Sequence, residues 1–260
     1  MKNLFDLIEY LASNHHYAPS DEMMKVALDM SDVIDDNNFQ DEGAFGRFYS
    51  GFNNDEKNKI KDKLGPINDG IGFKKFIDPN ADFNTNLKEI LSFIYIAPYI
   101  SANTDLKTPT YKGEISLSGI ISNNIIPTQH MPGIILSEAI HQMYYNDLPR
   151  RAIESLEEST YDTIREKLSK IGVYWNDITA YTIIVDPKVV KECIETYNMG
   201  TLNQTYNLSK GASLFDFGLF TVSSNTQAGQ NLQKLKAQLN RVRNNTLVNA
   251  LTDAIDNILS

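Results

Sequence analysis

The chain contains one cysteine, Cys193, among its 260 residues. A single cysteine excludes an intrachain disulfide. The absence of disulfides is typical of proteins from reducing compartments and of cores that need no covalent cross-link. Because Cys193 lies in an apolar-periodic run, residues 189–197, we expect it to be a small buried apolar residue rather than a nucleophile.

Apolar runs of membrane-spanning length are also missing. The most apolar stretch, residues 90–100, is about half as long as a membrane span and contains Pro98. At the amino terminus, Asp6 and Glu9 interrupt the apolar residues, which a secretory signal peptide would exclude. The sequence therefore predicts neither membrane association nor secretion by a signal peptide.

Basic residues are fewer than acidic ones. The 24 Lys and Arg residues face 33 Asp and Glu residues, which gives a net charge of -9 and a pI near 5.0. Binding to nucleic acid depends mainly on Lys and Arg that neutralise phosphates, so the composition argues against specific nucleic-acid binding. The best local basic patch is interpreted as a solvated helix face and comprises Lys234, Lys236, Arg241 and Arg243.

Complete catalytic motifs are lacking, and the sequence predicts no cofactor. Asp216-Phe217-Gly218 matches the three letters of the metal-binding motif of kinases. We recognise no His-Arg-Asp, glycine loop or strand lysine before it, so the sequence favours a coincidence. Gly43-Ala-Phe-Gly46 lacks both a phosphate-loop lysine and a preceding apolar strand, and predicts part of an ordered loop over residues 39–52. Residues 69–82, rich in glycine and proline, predict turns.

The pattern of apolar residues predicts an α+β, predominantly helical fold. Strands are predicted at residues 114–120, which alternate, and 178–185, which are β-branched and aromatic. The overall expectation is a helical bundle with a small β-sheet and a long C-terminal helix. It forms one domain or two closely packed subdomains, about 1–112 (helical) and about 113–260 (α+β). Helices are predicted at residues 3–12, 21–35, 54–64, 84–97, 132–146, 150–171 and 187–197, the fourth being central because it is apolar all round.

Residues 226–260 have the clearest helical period in the chain. A stripe from Ala228 to Val242 has steps of 4, 3, 4 and 3, and a second stripe from Leu247 to Ile258 is rotated against it. A continuous helix here would be about 50 Å long and would present two apolar seams that need a partner. The predicted protein interface consists of Leu232, Leu235, Leu239, Val242, Leu247 and Leu251.

The helical pair at residues 3–35 and the polar, Leu-striped ending at residues 229–260 resemble virion proteins of tailed bacteriophages. The resemblance is to the connector, ring and tail-completion proteins, and it is one of asparagine-rich, acidic and helical character. It implies a structural or assembly protein that acts in a homo-oligomer. Its partners would be copies of itself and other virion or assembly proteins, and its location the virion or otherwise the cytoplasm.

Two alternatives remain open. Glu138 and His141 lie three residues apart on one predicted helix face, where they could form an acid-base or metal site of a cytoplasmic enzyme. His130 and Tyr145 could join such a site, but the chain has no second Glu-x-x-His pair. The other alternative is a regulatory binding module, which would be a monomer with one exposed apolar groove.

Overall fold

The computed structural model describes residues 36–42, 46–64, 70–76, 83–109, 125–129, 131–176, 178–198, 200, 206–241 and 246–259. The helices predicted at residues 3–12 and 21–35, and the strand predicted at 114–120, lie outside them. Helices and small antiparallel sheets make up the described fold, which confirms the predicted α+β, predominantly helical class. No helix within the described ranges is both long and apolar enough to span a membrane.

A four-stranded antiparallel sheet lies in the first half of the chain, with strand order β1-β2-β3-β4. A short 3-10 turn, Asp36–Asn38, leads into it, and helix α1, Asn54–Leu64, connects its second and third strands. Because β4 pairs with β3, the sheet crosses the subdomain boundary predicted near residue 112, and that division stays a prediction. The strands are β1 Phe39–Glu42, β2 Gly46–Tyr49, β3 Ile71–Phe76 and β4 Ile125–Gln129.

This sheet corrects two predictions. The ordered loop expected over residues 39–52 contains the β1-β2 hairpin, and the turns expected over 69–82 contain β3. Both segments are short and carry polar residues, so the pairing that makes them strands comes from distant parts of the chain and leaves no local period. Pro127 is accommodated in β4, opposite Phe73, because β4 is an edge strand of the described sheet.

Helix α2, Phe83–Tyr95, is central to the fold, as predicted. Its Leu87, Ile90 and Leu91 side chains are fully buried. Helix α3, Ala97–Asn103, follows after one residue, and Pro98 lies in its first turn, where the missing N–H is no loss. The break between α2 and α3 is therefore a proline effect.

The remaining elements form a helical layer with two small sheets. The β5-β7-β8 sheet and the β6-β9 pair are both antiparallel. Of the strand predicted at residues 178–185, only the last three residues are in β7. The residues before it form a turn stabilised by Thr182 Oγ1, which donates to the Thr179 carbonyl at 3.0 Å. The elements are β5 Ile134–Ile135, α4 Leu136–Tyr145, α5 Arg150–Lys170, β6 Val173–Trp175, β7 Ile183–Val185, α6 Pro187–Asn198, β8 Ser213–Leu214 and β9 Phe220–Val222.

The long C-terminal helix predicted over residues 226–260 is wrong, because two shorter helices occupy that segment. Helix α7, Gln227–Leu239, is capped by Thr226, whose hydroxyl accepts from the Gly229 N–H at 3.0 Å. Asn240 is its C-cap, in agreement with the preference of asparagine for helix ends. Helix α8, Thr246–Ile258, then packs against both α7 and α2.

The interface predicted on the C-terminal helix is also wrong, because α8 packs against α7 within the same chain. Leu232, Leu235, Leu239 and Leu251 are at most 2% exposed within the single chain, so these side chains are not available to another copy. Val242 and the side chain of Leu247 lie outside the described residues. The break between α7 and α8 lets both apolar stripes face one core, which removes the second seam that a straight helix would have presented.

Cys193 is fully buried on α6, as predicted, and burial raises the pKa of its thiol to about 11. The reactive thiolate is therefore roughly a hundredfold rarer at pH 8 than for a thiol with the ordinary pKa of 9. We expect native protein at pH 8 to react with iodoacetamide at least about a hundredfold more slowly than protein unfolded in urea. Comparable rates in the two states would contradict the buried position.

Candidate functional site

Lys74 lies in the middle of β3, opposite Phe48 on β2 and Ile126 on β4. Its two neighbours, buried Phe73 and exposed Lys75, lie on the other face of the strand, because successive side chains of a strand point to opposite faces. The Lys74 side chain is 23% exposed, so most of it is covered. A cation in this position requires negative partners.

Helix α2 supplies the first of these partners. The amine of Lys74 donates to Glu89 Oε1 at 2.5 Å, and the Glu89 side chain is only 6% exposed. Glu89 is the one acidic residue of α2, and it lies next to fully buried Ile90. A carboxylate buried among apolar side chains is retained only with a charged partner, and Lys74 provides it.

Asp216 supplies the second partner. Its Oδ1 lies 3.6 Å from the Lys74 amine, and its side chain is 43% exposed, so the carboxylate is open to solvent on one side. The backbone of Asp216 is left-handed, with φ 66° and ψ 79°, which is uncommon for a residue other than glycine. Strained backbone of this kind accumulates at functional sites.

The segment after Asp216 is anchored against α2. Residues Phe217–Leu219 form a 3-10 turn, and the Phe217 ring packs edge-on against Phe93 of α2 with 6.3 Å between centroids. Phe217 also contacts Phe220 at 5.1 Å, and Phe220 stacks on Trp175 of β6 at 4.7 Å. This aromatic chain holds the residues that follow Asp216 against α2, one turn after Glu89.

The charges of the three groups depend on each other. Burial lowers the pKa of the Lys74 amine, but Glu89 and Asp216 together outweigh that effect, so its pKa is raised above the ordinary value. Burial raises the pKa of Glu89, and the attraction of Lys74 opposes the rise. Lys74 is therefore held as a cation between one buried and one solvent-open carboxylate.

The loop between β6 and β7 runs beside Asp216. Strand β6 pairs with β9, strand β7 pairs with β8, and Asp216 lies between β8 and β9 in the chain. The Phe215 N–H donates to the Thr182 carbonyl at 3.2 Å, and the Asn176 N–H donates to the Leu219 carbonyl at 3.4 Å. Both ends of the loop are thus tied to the residues that flank Asp216. Asp177, inside this loop, lies outside the described residues.

The arrangement removes one ground for interpreting Asp216-Phe217-Gly218 as a coincidence, because a strand lysine, Lys74, lies 3.6 Å from Asp216. In protein kinases a strand lysine pairs with a glutamate of the next helix, and the aspartate of this motif holds Mg²⁺. Lys74, Glu89 and Asp216 have the same relation here. The strand lysine was missed because the sequence of β3 does not have the period of a strand throughout.

A signal for the pair was nevertheless present in the sequence. Glu89 is the single acidic side chain of α2 and is followed directly by the apolar residues Ile90 and Leu91, and a buried acidic residue in this setting predicts a cation nearby. The sequence could not say which of the 24 Lys and Arg residues that cation is, because the partner comes from a different element.

Glu138 and His141, the residues of the alternative enzyme site, are not part of this cluster. Both side chains are exposed on α4, as is Tyr145, and His130 lies outside the described residues. Among the described residues no group of three His, Cys, Asp or Glu side chains lies close enough to hold a metal ion. The structure therefore brings no further ligand to Glu138 and His141.

No family model and no curated protein matches the chain. Among solved structures it is similar to WbdD in a co-crystal structure with the kinase inhibitor LY294002, at 14% identity and a TM-score of 0.39, over 84% of this chain and 44% of that one. A 2.2 Å crystal structure of WbdD gives the same coverage and TM-score at 12% identity. The chain thus spans less than half the length of these WbdD chains. A TM-score of 0.39 does not establish a common fold, so the site is interpreted from its own geometry.

Proposed function

We propose that this protein is a kinase-like phosphotransferase that binds a nucleoside triphosphate together with Mg²⁺ beneath the β1-β4 sheet. The observation that carries the proposal is the position of the Lys74 amine, 2.5 Å from Glu89 Oε1 and 3.6 Å from Asp216 Oδ1. A lysine oriented by a buried carboxylate is suited to donate hydrogen bonds to phosphate oxygens.

The residues present fit a magnesium ion. Mg²⁺ is usually bound by one or two carboxylates, by waters and by substrate phosphates, rather than by a complete protein cage. Asp216 offers one half-exposed carboxylate two residues after the end of β8. When bound, the ion would neutralise charge on the phosphates.

Direct binding of nucleotide tests the proposal. We expect isothermal titration calorimetry with the non-hydrolysable ATP analogue AMP-PNP to detect binding in Mg²⁺ and weaker binding in EDTA. At about 100 times the Kd, the analogue should stabilise the protein by about 2.7 kcal/mol in urea unfolding. Absence of both binding and stabilisation at millimolar AMP-PNP with Mg²⁺ would refute the proposal.

The role as a virion connector or tail ring stays a prediction, as do its virion location and its partners. That role was predicted from an apolar surface on the C-terminal helices, and four of the six side chains proposed for this surface are buried within the chain. An oligomer would have to use another face. The alternative of a regulatory binding module likewise stays a prediction.

A further inference from the structure

The last helix of the chain contacts both elements that bring carboxylates to Lys74. Helix α8 packs along α2, which carries Glu89, and these two helices share one of the most extensive contacts between elements of the described fold. Its own inward face is completely buried, with Leu251, Ile255 and Ile258 all at 0% exposure. The position of α2 therefore depends on α8.

Helix α8 also reaches the strand that follows Asp216. It contacts β9, and Leu259, just past its end, forms a parallel bridge with Val222. Three residues separate Asp216 from the start of β9 at Phe220, and the first of them is Phe217, whose ring is buried. One helix is thus packed against the support of Glu89 and against the support of Asp216.

A further contact fixes α8 along its own axis. Lys236 of α7 forms an ion pair with Asp256 of α8, and α7 is held at its start by the Thr226 cap. Proteins open locally in cooperative units. Because α8 packs against both α2 and β9, its stability affects how often α2 and β9 move apart.

We propose that α8 is a positioning element of the Lys74 site, which holds α2 and β9 so that Glu89 and Asp216 reach the Lys74 amine together. Loosening α8 then releases Lys74 and weakens nucleotide binding, and this second consequence rests on the proposed function. The first consequence, the release of Lys74, does not require any nucleotide.

The test compares two equal truncations. Leu251→Ala removes a buried side chain of α8, and Leu156→Ala removes a buried side chain of α5, which packs on α4 and β6. The readout is the rate at which N-hydroxysuccinimide acetate acylates Lys74, measured by mass spectrometry with exposed Lys75 as the internal reference. We expect Leu251→Ala to accelerate acylation of Lys74 by about tenfold and Leu156→Ala to leave it unchanged, because only the first opens the site locally.

A double-mutant cycle adds the functional readout. Leu251→Ala should weaken AMP-PNP binding in the natural chain but have no further effect when Glu89→Gln is already present, since both act through the same contact. Equal acylation of Lys74 in Leu251→Ala and Leu156→Ala would overturn the proposal. If Leu251→Ala does not fold, Leu251→Val should accelerate acylation of Lys74 to a smaller extent. Acylation of Lys74 at an unchanged rate in Leu251→Val would also overturn the proposal. Accelerated acylation in a protein that binds no AMP-PNP would retain the positioning role and refute the phosphotransferase.

Discussion

Lys74→Met is expected to abolish measurable Mg·AMP-PNP binding, with a loss of affinity of at least about a hundredfold. Methionine has a similar length and keeps the packing of the lysine stem, but it cannot donate to a phosphate. Calorimetric titration of the variant measures the effect. Lys75→Met is the matched control, because Lys75 is the next residue of β3 and is exposed on the other face. It should bind as the natural chain does.

The same substitution should also cost stability. It leaves the Glu89 carboxylate buried and without its 2.5 Å partner. Breaking a buried ion pair costs about 3–5 kcal/mol, and we expect roughly 2–3 kcal/mol because the Lys74 side chain is 23% exposed. Urea unfolding gives this value. A second substitution, Glu89→Gln, should recover part of the stability without recovering nucleotide binding, which separates the two roles of Lys74.

The loss of folding stability caused by Lys74→Met should depend on pH. Burial raises the pKa of Glu89 above 4.5, and loss of Lys74 removes the attraction that opposes this rise. A group with a raised pKa in the folded state contributes its full stability below the ordinary pKa and loses it as the pH rises through the folded pKa. The stability deficit of Lys74→Met relative to the natural chain should therefore grow as the pH rises above the folded-state pKa of Glu89 in the natural chain, which is itself raised above the ordinary value. A deficit independent of pH would show that Glu89 is not the group responsible.

Asp216→Asn is expected to remove the dependence of nucleotide binding on Mg²⁺ and to lower phosphoryl transfer from ATP by about a thousandfold, since a metal contributes several kcal/mol of charge stabilisation. Asparagine has the same shape and tolerates a left-handed backbone, which this position requires at φ 66°. The effect is therefore chemical rather than structural. Asp216→Ala would not separate the loss of the carboxylate from a structural effect, because alanine adds backbone strain at this position.

The measurement is AMP-PNP affinity with Mg²⁺ and with EDTA, together with release of radiolabelled phosphate from ATP. Asp162→Asn is the control, because Asp162 is an exposed aspartate of α5 that pairs with Arg165 at 3.2 Å on its own helix. It should leave both quantities unchanged. An Asp216→Asn protein that still responds to Mg²⁺ as the natural chain does would exclude Asp216 as the metal ligand.

Long periodic segments were predicted well from the sequence. The helix expected at residues 150–171 is α5, Arg150–Lys170, and the one expected at 187–197 is α6, Pro187–Asn198. In both, the apolar period is uninterrupted and proline marks the start, so local interactions are sufficient. The burial of Cys193 followed from the same period.

Short strands and the site were predicted poorly. Strand β3, which carries Lys74, contains two adjacent lysines and no alternation, and its pairing partners come from residues 46–49 and 125–129. Such pairing depends on packing between distant segments and leaves little trace in the local pattern. For the same reason the sequence alone could not show that Asp216 of Asp216-Phe217-Gly218 lies near Lys74 of β3 and Glu89 of α2.

The amino-acid sequence by itself determined the helical content, the acidic surface and the burial of one face of each long helix, because those properties depend on composition and on a period of 3.6 residues. Only the tertiary structure decided that α8 folds back on α2, so that the apolar stripes are covered within one chain. It alone also decided that Lys74, Glu89 and Asp216 meet. Their separations of 15 and 127 residues are closed by sheet pairing and aromatic packing, which no local pattern encodes.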